Sequence, residues 1–364
     1  METVIETALL KKAFMKLTKF QTSTKHTTDT MRLAVEDGEV IFSIYSVNPD
    51  ARIQASITLP ALSTLRGVTF FPFKKLHNLI KKTKDTTMTF TDTTVANSKS
   101  VITFDLQDVT YPVYSATTEK TVTLPKDDFK MALTKVSYPS LTAGEARPIL
   151  SAINLSVDDT IMTMTSTDSQ RLAQYRADVT ASDGSLSLSV SAKMLNKLIT
   201  TFEKNATDIV IGLADDKSYA SYQFDDMHIF MSLMEGNYPD VTRLLEISEL
   251  SSFSFESSNL HESIDLAMAT TDLDANNRIQ LHFETDKLIV DATDKETTLV
   301  SNVAVADFLG EPTMMTFNAK YLADALKALD GTTHAKLQGR TRAMFFLSLD
   351  GKEQHLILPI RTVY

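Results

Sequence analysis

The spacing of apolar residues changes about every 60 residues along the chain, from alternation to a helical period. In stretches such as Val40–Ser46 and Thr160–Ser166, apolar side chains alternate with Ser or Thr, which favours half-buried antiparallel strands. A short strand then leads into a segment with helical spacing. Six helices are predicted in this way: Glu6–Lys19, Phe73–Lys84, Lys126–Val136, Ala192–Lys204, Ser258–Leu273 and Asn318–Asp330. A unit that recurs at a regular interval indicates an architecture before it indicates any chemistry.

The six helices fall into three pairs, which predicts three domains of similar size. At 364 residues the chain is too long for a single hydrophobic core, so several domains are expected. We place their boundaries in polar stretches, which gives domains 1–120, 121–246 and 247–364. Each contains two helices and several antiparallel strands, joined by turns such as Asp37–Gly38 and Asp183–Gly184. The predicted fold class is α+β, with helices on one side of a sheet.

Composition limits both the covalent chemistry and the cellular compartments expected for the chain. The chain has no cysteine, which excludes disulfides, thiolate nucleophiles and zinc sites built from cysteine. It contains no apolar run of about 18 residues, so a membrane-spanning helix is not expected. The first residues, Met1–Thr7, include an early acid and no long apolar stretch, which argues against a signal peptide. We therefore expect a cytoplasmic protein without a membrane partner.

Charge is distributed unevenly along the chain. The formal net charge of −10 comes from 36 basic and 46 acidic residues, and taken alone it argues against nucleic-acid binding. However, the six predicted helices together carry +8, which leaves −18 on the remaining residues. Most of the helical lysines lie in Glu6–Lys19 and Phe73–Lys84, whereas Ser258–Leu273 is acidic. Each basic helix also fits an ordinary amphipathic helix with a solvated lysine face.

No pattern of catalytic residues emerges from the sequence. Phosphate-binding glycine loops, zinc-protease motifs and nucleophile elbows are all missing. Asp272–Asn277 resembles the start of a calcium loop, but it lacks glycine at the sixth position and has Phe283 where a glutamate is needed. The paired aspartates lie in turns or in the first turn of a helix, where carboxylates commonly cap. We therefore predict no catalytic residue, no metal site and no cofactor.

Three segments far apart in the chain stand out from the strand background. The first joins Arg147–Leu150 to Ser166–Ala173, the second is Met234–Leu245, and the third is Leu356–Tyr364. The first two contain turns, and the third predicts an apolar strand that ends at Pro359 and forms a sheet edge. Their apolar residues together form a candidate peptide groove, although each residue taken singly also fits a core position.

These segments resemble the bacterial sliding clamp family, the β subunit of the replicative DNA polymerase. The family patterns are Arg-Pro-x-Leu, Thr-Asp-Gly-His-Arg-Leu-Ala, Glu-Gly-x-Tyr/Phe-Pro-Asp-x-x-x-Leu and a Pro-x-Arg near the C-terminus. The resemblance covers the whole chain in length, in helix pairs and in motif order. The C-terminal residues look most like clamps of low-GC Gram-positive bacteria or their phages. Departures include Ser169–Gln170, where the family has Gly-His, the acidic helix Ser258–Leu273, and Thr270–Thr271, where the interface helix often carries larger apolar residues. The first domain also lacks a clear Arg-Pro-x-Leu-Pro counterpart, and its equivalent stretch, 22–27, offers only Lys25 as a DNA contact.

The resemblance implies three tandem clamp domains in a head-to-tail homodimer that closes into a ring around double-stranded DNA. Such a ring does no chemistry of its own; it keeps the replicative polymerase on DNA and binds the clamp loader and repair proteins through short motifs. A ring that slides should meet phosphates with mobile cations and contact no base edges. The implied DNA-lining residues are Lys11, Lys12, Lys16, Lys25, Lys74, Lys75, Lys81, Lys82, Arg147, Lys193 and Lys197.

The same resemblance assigns two protein-binding surfaces. The implied peptide groove consists of Leu150, Thr167, Asp168, Arg171, Leu172, Pro239, Arg243, Leu244, Leu358, Pro359, Ile360 and Arg361. Its apolar members would hold the anchors of a partner peptide, and Arg171 or Arg243 would contact backbone or carboxylate. The implied dimer interface pairs Phe104 and Leu106 with Met268, Thr270, Thr271 and Leu273. The alternative is a clamp-fold scaffold that binds proteins and no longer encircles DNA, which the net charge and the acidic helix favour.

Overall fold

The computed structural model describes residues 1–21, 29–36, 38–47, 49–63, 66–104, 111, 114, 118–141, 147–248, 250–272 and 276–361. Three predicted site residues, Lys25, Leu106 and Leu273, lie outside these ranges. Helices and antiparallel strands alternate within the described residues, as expected for an α+β protein. No helix in these ranges is long and apolar enough to cross a membrane.

All six predicted helices are present, with shifted ends at several of them. The third helix continues past Val136 through Pro139, and the fourth ends at Ile199 instead of Lys204. Their bounds are α1 (Thr7–Thr18), α2 (Phe73–Lys82), α3 (Lys126–Leu141), α4 (Ala192–Ile199), α5 (Ser257–Thr270) and α6 (Ala319–Ala328). Two short 3-10 helices span Pro148–Ser151 and Thr242–Leu244.

Strands make up most of the remaining structure. Those of the first half of the chain are β1 (Glu2–Glu6), β2 (Thr30–Glu36), β3 (Glu39–Val47), β4 (Arg52–Pro60), β5 (Leu62–Ser63), β6 (Gly67–Pro72), β7 (Thr87–Thr91), β8 (Thr94–Ala96), β9 (Val101–Thr103), β10 (Thr118–Pro125), β11 (Ala152–Asp158), β12 (Ile161–Thr167), β13 (Arg171–Asp178) and β14 (Ala181–Ser182). Those of the second half are β15 (Leu186–Ser191), β16 (Asp208–Ala214), β17 (Tyr219–Phe224), β18 (Met227–Ser232), β19 (Ser251–Glu256), β20 (Arg278–Phe283), β21 (Lys287–Thr293), β22 (Thr298–Ala304), β23 (Ala306–Leu309), β24 (Thr313–Asn318), β25 (Thr332–Leu337), β26 (Met344–Ser348) and β27 (Glu353–Ile357).

The chain forms two compact units. The first contains Met1–Asp127, Asp158–Thr160 and Val179–Met234, and the second contains Asp128–Val157, Ile161–Asp178 and Glu235–Tyr364. The predicted second domain, 121–246, therefore contributes residues to both units. The division into three domains stays a prediction.

The first unit is built on two sheets. One follows the order β14-β10-β16-β17-β18-β4-β3-β2-β6 and the other β5-β1-β7-β8-β9. Strand β4 pairs with β18, so the larger sheet runs without a break between residues from the first and middle thirds of the chain. Alternation along β3 buries Val40, Phe42 and Ile44 on one face. The ring of Phe14 from α1 packs on Phe42 at 5.5 Å and on Phe73 of α2 at 5.4 Å, which joins both helices to the sheet.

The second unit also contains two sheets. Its strands follow the orders β11-β12-β13-β27-β26-β25-β19-β23 and β22-β21-β20-β24. Its core includes the buried rings of Phe253, Phe283 and Phe317. The prediction of a sheet edge at the C-terminus is wrong, because β27 pairs with β13 on one side and with β26 on the other. The strand ends at Ile357, two residues before Pro359, so the proline removes no hydrogen bond from the sheet.

Candidate functional site

The loop between β12 and β13 is held rigidly by its own hydrogen bonds. The Asp168 carboxylate accepts from the backbone N–H groups of Gln170 and Arg171 at 2.9 and 2.8 Å. The Thr167 hydroxyl donates to the carbonyl of Arg171 at 2.7 Å and accepts from the N–H of Ser169 at 3.1 Å. Ser169 has φ 77°, a left-handed conformation that suits the glycine found here in the family pattern. The loop therefore keeps this backbone conformation despite the change to serine.

The C-terminal segment is anchored beside that loop. After β27 ends, the N–H of Leu358 donates to the carbonyl of Gln170 at 2.9 Å. Two residues later the N–H of Ile360 donates to the carbonyl of Thr316 at 2.8 Å. These two bonds fix the direction of Leu358, Pro359 and Ile360 in the second unit.

A groove of about 940 Å³ opens between the three predicted segments, all within the second unit. Its floor is a small apolar cluster in which Leu172, Ala343, Phe345 and Leu356 are buried. The residues that line the groove are Thr167, Ser169, Gln170, Arg171, Leu172, Arg243, Leu244, Glu246, Ile247, Ser248, Gln338, Thr341, Arg342, Ala343, Leu356, Leu358 and Arg361. Leu244 and Leu358 are exposed within it, at 57% and 38% of their surface. Apolar side chains that stay exposed in a concave site are typical of a peptide-binding surface.

A second pocket of about 660 Å³ shares part of its wall with this groove. Gln170, Thr341, Leu358 and Arg361 line both. The remaining lining residues of the second pocket are Asn276, Asn318, Tyr321, Pro359 and Ile360. The two pockets therefore form one groove with two compartments, which suits an extended ligand with two apolar anchors.

Nine of the twelve predicted groove residues line one of the two pockets. Leu150, Asp168 and Pro239 line neither: Leu150 is buried, Asp168 holds the loop, and Pro239 is exposed elsewhere. The prediction missed residues that come from other elements, among them Gln170, Asn318, Tyr321, Thr341 and Arg342. Gln170 lies within the recognised motif Ser166–Ala173. The others carry no local signal, because pairing of distant strands brings them here.

Arg171 differs from the prediction in its role. Its guanidinium is 1% exposed and forms ion pairs with Asp168 at 2.9 Å and Asp324 at 2.7 Å. It lies 4.2 Å from the ring centre of Tyr321 and 5.2 Å from that of Tyr138. Burial alone would lower the pKa of Arg171, but the hydrogen bonds to Asp324 and Asp168 outweigh it and raise the pKa. Arg171 thus positions the groove floor, and a direct contact to a ligand carboxylate is not supported.

The lysines of α1 are engaged inside the first unit. Lys11 donates to the carbonyl of Thr83 at 2.8 Å. Lys12 and Lys16 both pair with Glu203 at 2.7 Å, and Lys16 also pairs with Asp226. Lys16 is 7% exposed, so the structure does not support it as a DNA contact.

The lysines of α2 are exposed instead. They are Lys74, Lys75, Lys81 and Lys82, and their ammonium groups have no ion pair with any carboxylate in the described part of the chain. On α4, Lys193 is exposed and pairs with Asp50 at 3.0 Å, and Lys197 is half-buried. Arg147 is exposed in the second unit. Among the predicted DNA-lining lysines of α1 and α2, those of α2 are therefore the ones without a described partner.

The residues predicted for the dimer interface are only partly on the surface. Phe104 is 9% exposed and packs against Phe71 with ring centres 5.4 Å apart. Met268 packs against the core of the second unit, and Thr271 is buried. Thr270 is exposed, and its hydroxyl donates to the carbonyl of Leu266. The structure assigns Phe104 and Thr271 to the cores of their units.

Two strand edges near these residues are open. In the pairings that the structure describes, β9 pairs only with β8 and β22 only with β21. Val101 on β9 and Val300 on β22 are 69% and 59% exposed. Unpaired edges with exposed apolar residues are prone to pair with another chain.

The comparisons with known proteins agree on one family. The family model for the central domain of the DNA polymerase III beta subunit matches residues 123–240, and that for its C-terminal domain matches residues 248–358. The beta sliding clamp of Staphylococcus aureus is 29% identical over 226 residues, 61% of this chain and 59% of that protein. The beta sliding clamp of Halalkalibacterium halodurans is 29% identical over 231 residues, 61% of this chain and 60% of that protein. The match therefore spans about three fifths of these relatives.

Solved structures extend the likeness to the whole chain. The DNA polymerase sliding clamp from Bacillus subtilis superposes with a TM-score of 0.88 at 21% identity and covers 100% of both chains. The beta subunit from the DNA polymerase of Streptococcus pyogenes gives a TM-score of 0.88 at 19% identity, again over 100% of both chains. At this identity the likeness shows that the chain has the fold of these proteins.

Proposed function

Because the chain belongs to the DNA polymerase III beta subunit family, we propose that it acts as a DNA sliding clamp. In this role two chains close into a ring around duplex DNA, and the ring tethers other proteins without chemistry of its own. The observation that carries the DNA part of the proposal is the row of four exposed lysines on α2. We place this activity in the cytoplasm.

The lysines suit a ring that moves along DNA. An ammonium group on a long flexible side chain attracts phosphates as a point charge and selects no base. Since the four α2 lysines have no competing carboxylate among the described residues, their charge is available to DNA. The overall charge of −10 does not oppose this, because the acidic residues lie mainly outside the basic helices and would repel DNA from those surfaces.

The ring requires a contact between two chains, and we propose that β9 of one chain lies against β22 of the other. Both edges are open and carry an exposed valine, Val101 or Val300. Because the two edges belong to different units, such a contact is head-to-tail, and a rotation that closes at two copies gives a ring.

A cross-linking experiment tests this ring. The chain has no cysteine, so Val101→Cys and Val300→Cys each introduce a single reactive thiol. With a short bismaleimide, a head-to-tail contact gives a cross-linked dimer only when the two variants are mixed. The double variant should give a covalently closed dimer of twice the 40.4 kDa chain mass. Cross-linking of either single variant with itself, or monomers throughout, would contradict the arrangement.

We further propose that the groove of the second unit binds short peptides from the replicative polymerase, the clamp loader and repair proteins. The two compartments offer Leu172, Leu244 and Leu358 in the first and Pro359 and Ile360 in the second. Deletion of 358–364 or Leu172→Ala should remove binding of a Gln-Leu-x-Leu-Phe peptide while the dimer stays intact. Unchanged peptide affinity in both variants would contradict the groove assignment.

A further inference from the structure

The larger sheet of the first unit repeats the strand order found around the peptide groove. The run β16-β17-β18-β4-β3-β2 corresponds to the run β25-β26-β27-β13-β12-β11, so β18 and β4 take the places of β27 and β13. In the second unit, the second pair from the end of β27 is Leu356 with Leu172, and both residues line the groove. The second pair counted in the same way between β18 and β4 is Phe230 with Gln54. The first unit therefore has a counterpart of the groove position.

This counterpart lies on the face of the sheet that points away from α1. Phe42 of β3 packs on α1, so Tyr45, three residues later, points to the opposite face. Tyr45 is directly opposite Gln54, and Gln54 is directly opposite Phe230, so the three side chains share that face. Tyr219 of β17 joins them, with its ring centre 5.3 Å from that of Phe230. We call this surface the aromatic floor; it consists of Tyr45, Gln54, Tyr219 and Phe230.

Tyr114 lies on the aromatic floor. Its ring centre is 5.0 Å from that of Tyr219 and 6.0 Å from that of Phe230, which are distances of favourable aromatic pairs. Its backbone N–H donates to Oε1 of Gln54 at 3.2 Å. Burial, followed by a hydrogen bond with Tyr45, raises the pKa of Tyr114 to about 12. The floor thus holds Tyr114 by its backbone and by its side chain.

Tyr111 packs beside Tyr114. Its ring centre lies 6.4 Å from that of Tyr45 and 6.0 Å from that of Phe70 on β6. Burial raises the pKa of Tyr111 above its usual value. Both tyrosines belong to the part of the chain between β9 and β10. The first unit therefore fills this position with its own side chains, whereas Leu244 and Leu358 stay exposed in the groove of the second unit.

From these contacts we propose that the aromatic floor is a second peptide-binding site, which Tyr111 and Tyr114 occupy as a tethered ligand. Its ligand class is a peptide with two aromatic residues three positions apart, because the occupant has that spacing. A tethered occupant acts at an effective concentration of about a millimolar, so it excludes a free peptide of similar affinity. A partner protein gains access to the floor only when the two tyrosines are displaced. This site is separate from the groove of the second unit and goes beyond the proposed function.

A labelled synthetic peptide of residues 107–117 tests the site in anisotropy titrations with the full-length protein. We call the variant with Tyr111→Ala and Tyr114→Ala the emptied chain. It should bind this peptide at least about tenfold more tightly than the wild-type chain, whose site is filled. A control peptide with alanine at both tyrosine positions should bind neither chain.

Two glutamines on the same face of the sheet provide a matched pair of variants. Gln54 accepts the hydrogen bond from Tyr114, whereas Gln223 is exposed on β17 and lies opposite His228. In the emptied chain, Gln54→Ala should weaken binding of the peptide about threefold to tenfold, because the peptide loses one hydrogen bond. Gln223→Ala should leave the affinity unchanged.

Hydrogen exchange provides a second measurement that does not depend on the folding of the emptied chain. In an otherwise wild-type chain, Gln54→Ala should accelerate deuterium uptake in the proteolytic fragment that contains Tyr114, since the N–H of Tyr114 loses its acceptor. Gln223→Ala should leave the uptake of that fragment as it is in the wild-type chain.

Each result either supports or overturns the inference. Equal binding of the peptide to the wild-type and emptied chains, or no binding to a folded emptied chain, would overturn it. Equal effects of Gln54→Ala and Gln223→Ala on affinity would also overturn it. If the emptied chain does not fold, hydrogen exchange decides: faster uptake in Gln54→Ala alone supports the inference, and equal uptake in both glutamine variants overturns it.

Discussion

Helices α1 and α2 pack against each other in the first unit and are both rich in lysine. The ammonium groups differ in their partners: those of α1 are bound to acceptors of the protein, whereas those of α2 are not in any described ion pair. In α1, Lys11 is bound to a backbone carbonyl, and Lys12 and Lys16 pair with Glu203. In α2 the lysines are exposed and have no described ion pair. The similar number of lysines, three on α1 and four on α2, therefore leaves unequal free charge at the surface. We interpret α1 as the helix whose lysines stabilise the unit through ion pairs, and α2 as the helix whose lysines attract DNA.

The largest effect is expected when the lysines of α2 are neutralised. Changing Lys74, Lys75, Lys81 and Lys82 to Gln should weaken binding to duplex DNA by about tenfold to a hundredfold at low salt. The slope of log affinity against log salt should fall by about 0.9 for each phosphate that the variant no longer neutralises. Anisotropy titrations at several salt concentrations measure both quantities.

The control for that variant lies on α1. Lys11→Gln with Lys12→Gln removes exposed or half-exposed charge from the neighbouring helix, whose ammonium groups are already engaged. It should reduce DNA affinity less per charge than the α2 variant does. An equal loss per charge in both helices would remove the distinction between them.

A smaller effect, on stability, is expected at Lys16. The side chain is 8% exposed and holds two carboxylates, so Lys16→Met leaves Glu203 and Asp226 without this partner. We expect a loss of about 1–3 kcal/mol in the free energy of unfolding of the first unit. Lys81→Met, at an exposed position of α2, should change it by less than about 0.5 kcal/mol. Urea denaturation measures both, and similar values would contradict the assignment of α1.

The smallest effect concerns pH. Hydrogen bonds from Lys12 and then Lys16 hold the pKa of Glu203 below its usual 4.5. A carboxyl whose pKa is lowered by folding stabilises the protein above its unfolded pKa, and this contribution disappears as pH falls through the folded pKa. Glu203→Gln should therefore be less stable than the wild-type chain at pH 6, with the difference shrinking below about pH 4.5.

The matched change is Glu39→Gln, at an exposed carboxyl in the same unit. Because no ion pair of Glu39 is described, its substitution should have little effect on the unfolding midpoint at either pH. Melting temperatures of the three proteins between pH 3 and 7 provide the comparison. A difference for Glu203→Gln that grows in acid would contradict the ion-pair assignment.

Much of the fold could be predicted because its signals are local. The change from alternating to helical spacing located all six helices, and the turns after Thr167 and before Leu244 were visible as motifs. Helix ends were less predictable: α3 continues through Pro139, although an interior proline removes a helix hydrogen bond. Just beyond it, the buried Ser140 donates its hydroxyl to the carbonyl of Ala152 at 2.7 Å.

The features that could not be predicted from the sequence depend on contacts between distant residues. Lys16 contacts Glu203, which lies 187 positions away in the sequence. The sequence of the helix alone therefore could not show that the charge of Lys16 is compensated. Arg342 reaches the groove because β25, β26 and β27 pair with one another beside β13. The open edge of β22 was also missed, since alternation along a strand does not show which neighbour it lacks.

We propose that the protein encloses DNA without recognising a particular sequence, and a topological assay distinguishes enclosure from ordinary binding. Wild-type protein is placed on a nicked circular plasmid by a bacterial clamp loader with ATP, separated from free protein by gel filtration, and then treated with a restriction enzyme that cuts the plasmid once. We predict that the protein stays with the intact circle and is released when the circle is linearised, because an enclosing ring slides off an open end. Equal retention on circular and linear DNA, or no retention on either, would rule out an enclosing ring.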